Sequence, residues 1–481
     1  MTQSSKLCIV ITGPSLEEAL QQTAQASSLA DIVEFRLDLF QFSQLNHLTQ
    51  LRQSSSLPVI FTLRRVKDGG KYSESEEKRI AVIKKLLPLT PDYLDLECDV
   101  SSVFFDEMTN AAPNIQIICS LHDFNASCKD LESIFQKMQK RSANLYKIVT
   151  SAKNPLDALH MLAFIKKTAL KGECLAGMCV GEHGQLTRVL GPICGSALTY
   201  AALDDASRTM TGQLSAQTLL QTYHYRKLNA STRLYGLIGD PVEQSPSHDT
   251  HNAAIRQLDL NAVYVKVKTA DCDLAETLTL LRKLGFCGLS VTMPLKETIL
   301  KHCTAQNQAI GAVNTLLFES ESGDVIGCNT DGSGALEAIQ QKIDVRGKKI
   351  ILLGAGGVAQ AIAYELHHHK AELVILNRCP LKAERLAIRY GGVGGHLENF
   401  SFFAQQGYDL LINCTPVGMS SNQNAPIDTE YLVPDRLVME TIIHPRETFL
   451  VAEAKKRGCP IIYGYELFHH QAARQFSVWF N

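Results

Sequence analysis

Residues 348–363 read KKIILLGAGGVAQAIA, an apolar run that leads directly into a glycine-rich turn and then into a helical pattern. A strand, a glycine turn and a helix in this order form the site where a dinucleotide pyrophosphate meets the start of a helix. Glycines let the backbone approach the phosphates closely. We therefore predict that Gly354, Ala355, Gly356 and Gly357 hold a dinucleotide.

The next predicted strand, residues 373–376, ends in Asn377 and Arg378 rather than in an acidic residue. An acid here accepts a hydrogen bond from the ribose of NAD, whereas arginine offers a cation to the 2′-phosphate of NADP. The sequence thus predicts a Rossmann subdomain that binds NADP, with an ordinary surface arginine as the alternative interpretation. Residues 367–369 are histidines on one helix; consecutive helical positions point in different directions, so we predict no metal site.

Upstream of this unit, short apolar runs alternate with stretches of helical period. The runs are residues 7–13, 31–38, 59–64, 93–98, 115–123, 145–151, 174–182 and 197–203. Eight such strands within about 220 residues predict a (β/α)8 TIM barrel, although an open doubly wound sheet fits the alternation too. Residues 224–233 are polar and lack strand character, so the domain boundary is predicted there, after a barrel over residues 1–225.

Composition excludes several other classes of protein. The 481 residues are 45% hydrophobic and 20% charged, with a formal net charge of −2, so no basic field favours nucleic acid or anionic lipid. The fourteen cysteines include no Cys-x-x-Cys pair, and most lie in apolar runs. They are typical of reduced core thiols, which predicts a cytoplasmic protein. No apolar stretch reaches the roughly twenty residues of a membrane span.

Charged residues collect at the predicted C-terminal ends of the barrel strands, where barrel enzymes carry their chemistry. They are Glu34, Arg36, Asp38, Arg64, Asp95, Glu97, His122, Asp123 and Lys147, with Arg188 in the loop after the seventh strand. Such side chains are rarely buried unless paired, so the set indicates either a salt-bridge network or a site.

Two of these residues have side chains suited to catalysis. Lys147 lies among apolar neighbours, where desolvation or nearby cations such as Arg64 and Arg188 would release its amine as a nucleophile for a ketone. A structural ion pair is the alternative interpretation. His122 is a candidate general acid and base because histidine titrates near neutral pH.

The first half resembles the type I 3-dehydroquinate dehydratases over nearly its whole length. The matching segments are Glu34-Phe35-Arg36-Leu37-Asp38, Phe61-Thr62-Leu63-Arg64 with Gly69-Gly70, Asp95-Leu96-Glu97, Ser120-Leu121-His122-Asp123-Phe124, Lys147-Ile148, Met178 to Arg188, and Gly212-Gln213. The resemblance implies that Lys147 forms an imine with the C3 ketone of 3-dehydroquinate. It implies that His122 takes the C2 proton and helps to expel water, and that Arg188 binds the carboxylate. The remaining substrate-binding residues would be Glu34, Arg36, Arg64, Thr209 and Gln213.

Two segments differ from that family's usual pattern. Asp68 stands where a glutamate usually orients the histidine, so Asp68, Asp95 or Glu97 could have this role. Thr209-Met210-Thr211 replaces the usual Ser-Ala-Pro before Gly212-Gln213, in a loop expected to close over substrate.

The second half, residues 233–481, resembles the shikimate dehydrogenases. The matching segments are Ile238-Gly239-Asp240-Pro241, Ser245 and Ser247 before His251-Asn252, Val291 to Lys296, Gly311 to Thr315, Asn329 to Gly332, Asn413 to Met419, and Gly464 with Gln471. The resemblance implies a substrate subdomain over residues 233–333 and 450–481 and an NADP-binding subdomain over 334–449.

The same resemblance implies the site residues of this half. Substrate would be held by Ser245, Ser247, Thr292, Asn314 and Gln471, with Gly464 beside the cofactor. Lys296 and Asp331 would be the catalytic pair, because hydride delivery to a ketone leaves an alkoxide that needs a cation and a proton donor. Departures from the family are Gln244, His248, Glu440 and Ile443. They leave quinate open as an additional substrate.

The two halves share a metabolite, because dehydration of 3-dehydroquinate gives 3-dehydroshikimate, the ketone that the second half would reduce. We therefore predict a bifunctional enzyme of the shikimate pathway with small-molecule substrates only. One alternative is a Schiff-base aldolase fused to another dehydrogenase, against which the paired His122 and carboxylate-binding arginines argue. Another is a regulator built from degenerate enzyme domains, which would be expected to have lost Lys147, His122, Lys296 or Asp331.

Overall fold

A computed structural model describes residues 5–125, 130–319, 322–419 and 424–480. The chain divides into two compact units. The first contains Met1–Leu234, Asn252–Val267 and Ala275–Phe286, and the second contains Tyr235–His251, Lys268–Leu274 and Cys287–Asn481. None of the helices in the described ranges is both long and apolar enough to cross a membrane.

Parallel strands in the first unit form a nearly closed barrel with the order β7-β6-β5-β4-β3-β2-β1-β8. They are β1 Lys6–Ile11, β2 Ile32–Arg36, β3 Val59–Thr62, β4 Tyr93–Glu97, β5 Gln116–Asp123, β6 Leu145–Ser151, β7 Leu175–Val180 and β8 Leu198–Ala202. Next to β8, the amide of Ala197 donates to the carbonyl of Leu175 in β7 over 2.8 Å, which brings the two ends of the sheet together. The barrel prediction is confirmed, and each strand lies where the sequence pattern predicted one.

Successive side chains along these strands point alternately to the helices and into the barrel, and the inward-pointing ones fill its interior. Leu145 and Val149 of β6 belong to a buried cluster inside the barrel, together with Cys8 and Tyr200. Because side chains two apart point to the same face of a strand, Lys147 points into this interior as well. The helices bury the outer face of the strands, which explains why each strand is an almost continuous apolar run.

Helices follow most of the barrel strands. They are α1 Leu16–Ala26, α2 Leu45–Ser54, α3 Glu76–Leu86, α4 Ser102–Ala111, α5 Leu131–Met138, α6 Pro155–Ala169, α7 Gln185–Cys194 and α8 Ala216–Gln221. Ser15 begins α1 with a capping box to Glu18, and Asn154 begins α6 with one to Asp157. Each N-cap contributes about 1 kcal/mol to stability, so these polar residues define where the helices begin.

A mixed segment follows the barrel along the chain. Its elements are β9 Arg233–Gly239, α9 Ser247–Gln257, β10 Ala262–Lys268, α10 Leu274–Leu284, β11 Phe286–Val291, β12 Thr304–Ala305, β13 Thr315–Phe318, β14 Val325–Cys328 and α11 Asp331–Gln340. β13 pairs antiparallel with β11 and β14, and β12 pairs parallel with β14.

The glycine-rich stretch lies in a parallel sheet with the order β17-β16-β15-β18-β19-β20. The elements are β15 Lys349–Leu353, α12 Gly357–His368, β16 Glu372–Asn377, α13 Pro380–Tyr390, β17 Val393–His396, α14 Phe400–Gln405, β18 Leu410–Asn413, β19 Leu437–Glu440, α15 Phe449–Lys456, β20 Ile461–Ile462 and α16 Gly464–Phe480. Strand order reverses between β15 and β18, and the crevice outside such a switch point is where doubly wound sheets bind ligands. The predicted Rossmann subdomain is confirmed.

Candidate active sites

Lys147 lies at the centre of the barrel interior. Its side chain projects from β6 and only 4% of the residue is exposed. The Nζ atom donates to Oε1 of Glu34 over 3.2 Å and to Oδ2 of Asp95 over 3.1 Å. The sequence led us to expect cations around this amine, but the charged groups that it contacts are two carboxylates.

Asp95 is held from three sides. Arg64 Nη2 lies 2.7 Å from Oδ2, and the Ser120 hydroxyl donates to Oδ1 over 2.6 Å. Burial by itself raises the pKa of Asp95, but the cations Arg64 and Lys147 outweigh it and lower that pKa well below its usual range. Asp95 is therefore a fixed carboxylate, and it aligns the lysine without itself exchanging a proton near neutral pH.

A second layer of buried polar groups supports these residues. Arg64 Nη1 donates to Glu97 over 2.9 Å, and Arg79 Nη1 lies 2.8 Å from the other oxygen of Glu97. The Thr62 hydroxyl donates to Glu34 over 2.8 Å. Sequence reasoning missed Thr62, Ser120 and Arg79. Residues two apart in a strand point to the same face, and Thr62 in β3 and Ser120 in β5 each lie two residues before a predicted site residue. This spacing could have indicated both of them. No local pattern marks Arg79 on α3.

His122 lies near the end of β5, half-buried, at the mouth of the barrel. Burial and the nearby cations Arg64 and Lys147 lower its pKa well below the ordinary value, so the ring is neutral at pH 7 and can accept a proton. Within the described ranges, its buried Nδ1 has no hydrogen-bond partner.

The carboxylates considered as partners for His122 are all engaged elsewhere. Asp68 accepts from Arg65 Nε over 2.6 Å, while Asp95 and Glu97 both bind Arg64. Asp95 is the carboxylate whose charge acts on His122, where it favours the protonated ring. Among the residues that the structure describes, none of the three carboxylates hydrogen-bonds the histidine.

Arg188 is a buried cation on α7 with 3% of the residue exposed. Its Nη1 donates to the carbonyl of Cys179 over 2.7 Å, and its Nε has no hydrogen-bond partner in the described part of the chain. Burial lowers its pKa to about 10. A buried guanidinium bound to a neutral carbonyl is unfavourable unless an anion can join it, so Arg188 is suited to binding a carboxylate.

The remaining predicted residues of the barrel site form local pairs. Arg36 binds Asp38 through Nε over 2.9 Å and Nη2 over 2.8 Å. Gln213 Oε1 accepts from the Thr209 amide over 2.8 Å and from its hydroxyl over 3.0 Å. Gly212, between them, has φ +80°, and a Cβ there would lie 1.9 Å from the Gly181 carbonyl oxygen. This close approach fixes the loop next to the end of β7.

The second candidate site is centred on Lys296 and Asp331. Lys296 Nζ lies 2.5 Å from Oδ2 of Asp331, at the start of α11. Asn314 Nδ2 donates to the other oxygen of Asp331 over 2.8 Å and approaches Oε1 of Gln471 at 3.4 Å. Four predicted residues, far apart in sequence, thus come together as one hydrogen-bonded group.

Residues that the sequence did not single out hold Asn314 in place. The Thr330 amide donates to its Oδ1 over 2.9 Å, and Gln475 Nε2 donates to its carbonyl over 3.0 Å. Gln475 also accepts from Ser290 over 2.8 Å. Gln475 lies one helical turn after Gln471 on α16, and this spacing is the signal that could have identified it.

Three further predicted residues lie apart from this group. The hydroxyls of Ser245 and Ser247 are 2.9 Å from each other, and Thr292 donates its amide to the Ile238 carbonyl over 2.9 Å. Within the described residues, neither serine is hydrogen-bonded to Lys296 or Asp331. They offer polar atoms to a ligand without joining the hydrogen-bonded group around Lys296 and Asp331.

The glycine turn has the geometry that a dinucleotide needs. Gly354 has φ +107°, a conformation that favours glycine, and a Cβ on Gly356 would meet open space. No side chain caps the start of α12, so its first amides remain available to an anion. A Cβ on Gly357 would lie 2.9 Å from Cβ of Lys296, so the turn packs directly against this lysine. Ala355 is buried between these glycines.

The other predicted cofactor residues lie at strand and helix ends. Arg378 follows β16 and is exposed, with no ion pair among the residues described. Asn377 donates to the Cys379 carbonyl over 3.1 Å and shapes the turn that carries Arg378. Gly464 begins α16, where a Cβ would lie 2.1 Å from the Ile442 carbonyl oxygen.

Glu440, one of the departures from the family pattern, is fully buried at the end of β19. Its carboxylate accepts from Asn413 over 3.0 Å, from the Thr448 hydroxyl over 2.8 Å and from the Ile442 amide over 3.1 Å. Burial raises the pKa of Glu440. The longer side chain is therefore accommodated as a hydrogen-bonded support for the loops around the switch point.

Each half of the chain thus carries a group of polar residues suited to catalysis. A buried lysine with fixed carboxylates lies inside a parallel barrel, and a lysine–aspartate pair packs against a glycine turn that fits a dinucleotide. These features define a two-site enzyme, in which a lysine-centred barrel and a dinucleotide-dependent oxidoreductase occupy one chain.

Comparisons with known proteins agree with this class. The family model of type I 3-dehydroquinase matches residues 7–230. The shikimate dehydrogenase substrate binding domain matches residues 237–316, and shikimate/quinate 5-dehydrogenase matches residues 337–420.

Curated relatives match either the whole chain or about half of it. The shikimate biosynthesis protein AroDE of Chlamydia pneumoniae is 36% identical over 482 residues, covering 98% of this chain and 95% of that protein. The chloroplastic bifunctional 3-dehydroquinate dehydratase/shikimate dehydrogenase of Arabidopsis thaliana is 32% identical over 498 residues, covering 99% and 82%. The shikimate dehydrogenase (NADP(+)) of Thermococcus kodakarensis is 39% identical over 256 residues, covering 52% and 92%.

The chain belongs to the family of bifunctional 3-dehydroquinate dehydratase/shikimate dehydrogenases. It is an enzyme with a dehydratase half, which is a lyase, and a dehydrogenase half, which is an oxidoreductase. The family predicted from the sequence is confirmed.

Proposed function

We propose that the barrel dehydrates 3-dehydroquinate to 3-dehydroshikimate through an imine at Lys147, and that the second half reduces this product to shikimate with NADPH. The observation that carries the proposal is the buried Nζ of Lys147, which two carboxylates hold inside the barrel near the neutral His122. A lysine with a purely structural role would not need an unprotonated histidine nearby. It would also not need Arg188, a buried cation without an anionic partner among the described residues, at the same end of the barrel.

Imine formation begins when Lys147 gives up a proton to His122, whose ring is unprotonated near neutral pH and so has a nitrogen in place to receive it. The nitrogen lone pair then forms the bond to the C3 carbonyl carbon. The ketone oxygen takes one proton from this nitrogen and one from His122 and leaves as water, which returns His122 to its neutral form. The product is a cationic iminium with one N–H. Its positive charge draws electrons from the neighbouring carbon and so acidifies the C2 proton.

Elimination follows from the same groups. His122 takes the C2 proton, and that bonding pair moves toward the iminium nitrogen to give an enamine. The pair then returns to form the ring double bond as the hydroxyl on the next carbon leaves, protonated by His122 to give water. Hydrolysis of the iminium releases the enone and regenerates the Lys147 amine.

Recognition of the substrate is assigned to the groups around Lys147. Arg188 binds the carboxylate because its guanidinium lacks an anionic partner in the described residues. Arg36, Thr209 and Gln213 offer hydrogen bonds to the ring hydroxyls. Glu34 and Arg64 act closer to the lysine, where they already bind the network of carboxylates and hydroxyls.

Borohydride trapping tests the imine directly. We expect protein incubated with 3-dehydroquinate and borohydride to gain a reduced adduct on Lys147, because borohydride converts an iminium to a stable secondary amine. Peptide mapping by mass spectrometry locates the label. The control omits substrate, and an active enzyme that stays unlabelled at Lys147 would contradict the proposal.

In the second half, the residues around Lys296 are assigned to the ketone. NADPH supplies the hydride when it is bound. Lys296 donates a hydrogen bond to the oxygen on which negative charge develops and passes it the proton that completes the alcohol, while Asp331 accepts from the ammonium and holds it in position. Asn314, Gln471 and the serine pair orient the ring. The open space at Gly356 and the uncapped start of α12 fit a pyrophosphate at this point.

We expect Arg378→Ala to raise the Michaelis constant for NADPH by about ten- to a hundredfold, because a charge-assisted hydrogen bond to the 2′-phosphate contributes roughly 1.5–3 kcal/mol. The constant for NADH should stay nearly unchanged. Steady-state reduction with each cofactor measures both values. Arg346→Ala, which removes an exposed arginine before β15, is the matched control. Equal losses for the two cofactors would mean that Arg378 has a structural role.

The proposed division of labour assigns residues 1–225 to the dehydratase and 233–481 to the dehydrogenase. Within the latter, residues 233–333 with 450–481 would hold substrate, and 334–449 would hold NADP. The family-model bounds, which leave residues 231–236 unmatched, support this division. Reduced core thiols support a cytoplasmic location, and the small-molecule substrates are the partners that both sites require.

A further inference from the structure

Tyr200 lies beside Lys147 and is absent from the residues assigned above. It projects from β8, and only 4% of the residue is exposed. The Nζ atom of Lys147 sits 4.0 Å from the centre of its ring. This distance places the ring within the range at which an aromatic face attracts a cation.

The hydroxyl of Tyr200 does not account for its position. The oxygen is buried and has no hydrogen-bond partner in the described part of the chain, although Glu34 and Asp95 lie close enough to influence it. Burial, followed by these carboxylates and Cys8, raises the pKa of the phenol well above its usual value, so the ring carries no charge of its own. An unpaired buried hydroxyl is unfavourable, and what the site gains from Tyr200 is its aromatic face.

We propose that Tyr200 is a positioning residue for dehydration, whose ring face holds the nitrogen of Lys147 and stabilises the positive charge on it throughout the reaction. The inference rests on the proposed imine at Lys147. It adds a group that acts through Lys147, without requiring contact with the substrate.

Counting N–H donors explains why a ring suits this position. The ammonium of Lys147 has three N–H groups, and two of them serve Glu34 and Asp95. The iminium keeps one N–H, so one of these two hydrogen bonds is lost when the imine forms. Attraction to a ring face depends on the charge and needs no N–H, so the contact with Tyr200 persists in both states.

The carboxylates are unequal in this respect. Asp95 retains Arg64 and Ser120 after it loses the lysine, whereas Glu34 has the Thr62 hydroxyl as its other hydrogen-bond partner among the described residues. Glu34 therefore accepts the hydrogen bond from the remaining N–H of the iminium. Attraction between the ring face of Tyr200 and the iminium charge then offsets the loss of the hydrogen bond to Asp95.

Two variants separate the ring from the hydroxyl. Tyr200→Phe keeps the ring and is the conservative variant, for which we expect dehydration within about threefold of the original chain. Tyr200→Leu removes the ring, and we expect kcat/KM for dehydration to fall about 5- to 30-fold, the range that a partly desolvated cation–π contact produces. The fraction of Lys147 that borohydride traps at saturating substrate should fall with it. Reduction of added 3-dehydroshikimate serves as the internal control and should be unchanged.

A fluorination series keeps the test decisive if Tyr200→Leu fails to fold. Phenylalanine carrying one, two or three ring fluorines in place of Tyr200 weakens the negative ring face at nearly constant volume. We expect the trapped fraction and kcat/KM to decrease stepwise with each fluorine.

The outcomes distinguish this inference from the proposal on which it rests. Absence of label on Lys147 in the original chain would overturn the imine itself. Normal trapping with an unchanged rate across the fluorine series would overturn the role of the ring. A loss in Tyr200→Phe as large as that in Tyr200→Leu would also overturn it, because the hydroxyl would then be the group in use.

Discussion

Lys147→Ala is expected to lower dehydration of 3-dehydroquinate by about five orders of magnitude, because an amine fixed next to a bound ketone has an effective molarity of about 10⁵ M or more. The enone product absorbs in the ultraviolet, and its formation measures the rate. Lys137→Ala, which removes an exposed lysine on α5, is the matched control and should keep full activity. Dehydration at near-normal rate by Lys147→Ala would contradict the assigned nucleophile.

This substitution also affects stability, so the fold must be checked. Removing one partner of a buried ion pair destabilises a protein by about 3–5 kcal/mol, and Glu34 would keep the Thr62 hydroxyl as its hydrogen-bond partner among the described residues. Lys147→Met fills the space, and comparing the two variants separates lost chemistry from lost packing. The reductase activity of the same chain on added 3-dehydroshikimate should stay within a few-fold of normal. Its loss without unfolding would mean that the two sites are coupled.

Lys296→Ala is expected to lower reduction of 3-dehydroshikimate by about 10²–10⁴-fold, the range typical of losing a positioned acid or base. The Nζ atom lies 2.5 Å from Asp331 and is the cation of this pair. Consumption of NADPH measures the rate. Lys301→Ala, a nearby exposed lysine, is the matched control. An equal loss of activity in both lysine variants would show that the effect comes from removing a positive charge and not from the position of Lys296.

Mixing the two inactive proteins tests whether each site works without the other. Lys147→Ala retains the reductase, and Lys296→Ala retains the dehydratase, so together they should convert 3-dehydroquinate to shikimate through free 3-dehydroshikimate. A lag is expected while the intermediate accumulates. Failure of the mixture, with both single activities intact, would contradict the independence of the two sites.

Local patterns in the sequence determined the architecture of this protein. The eight apolar runs became eight barrel strands because both faces of each strand are buried, and a period of two residues directs Lys147 inward without reference to any partner. The turn at Gly354 required a positive φ, and the sequence supplied glycine where the backbone has that conformation. Helix starts at Ser15 and Asn154 follow equally local capping rules.

The tertiary structure alone decided which charged groups touch. Lys147 meets a glutamate 113 residues away and an aspartate 52 residues away, and the ring of Tyr200 comes from a strand on the opposite end of the sheet order. Asp68, one of the three carboxylates considered as partners for His122, binds Arg65. Strand period fixes the direction of a side chain, but contact across a barrel also depends on strand tilt and stagger, which arise only when the sheet closes. The identity of the partners around Lys147 is therefore a property of the closed barrel.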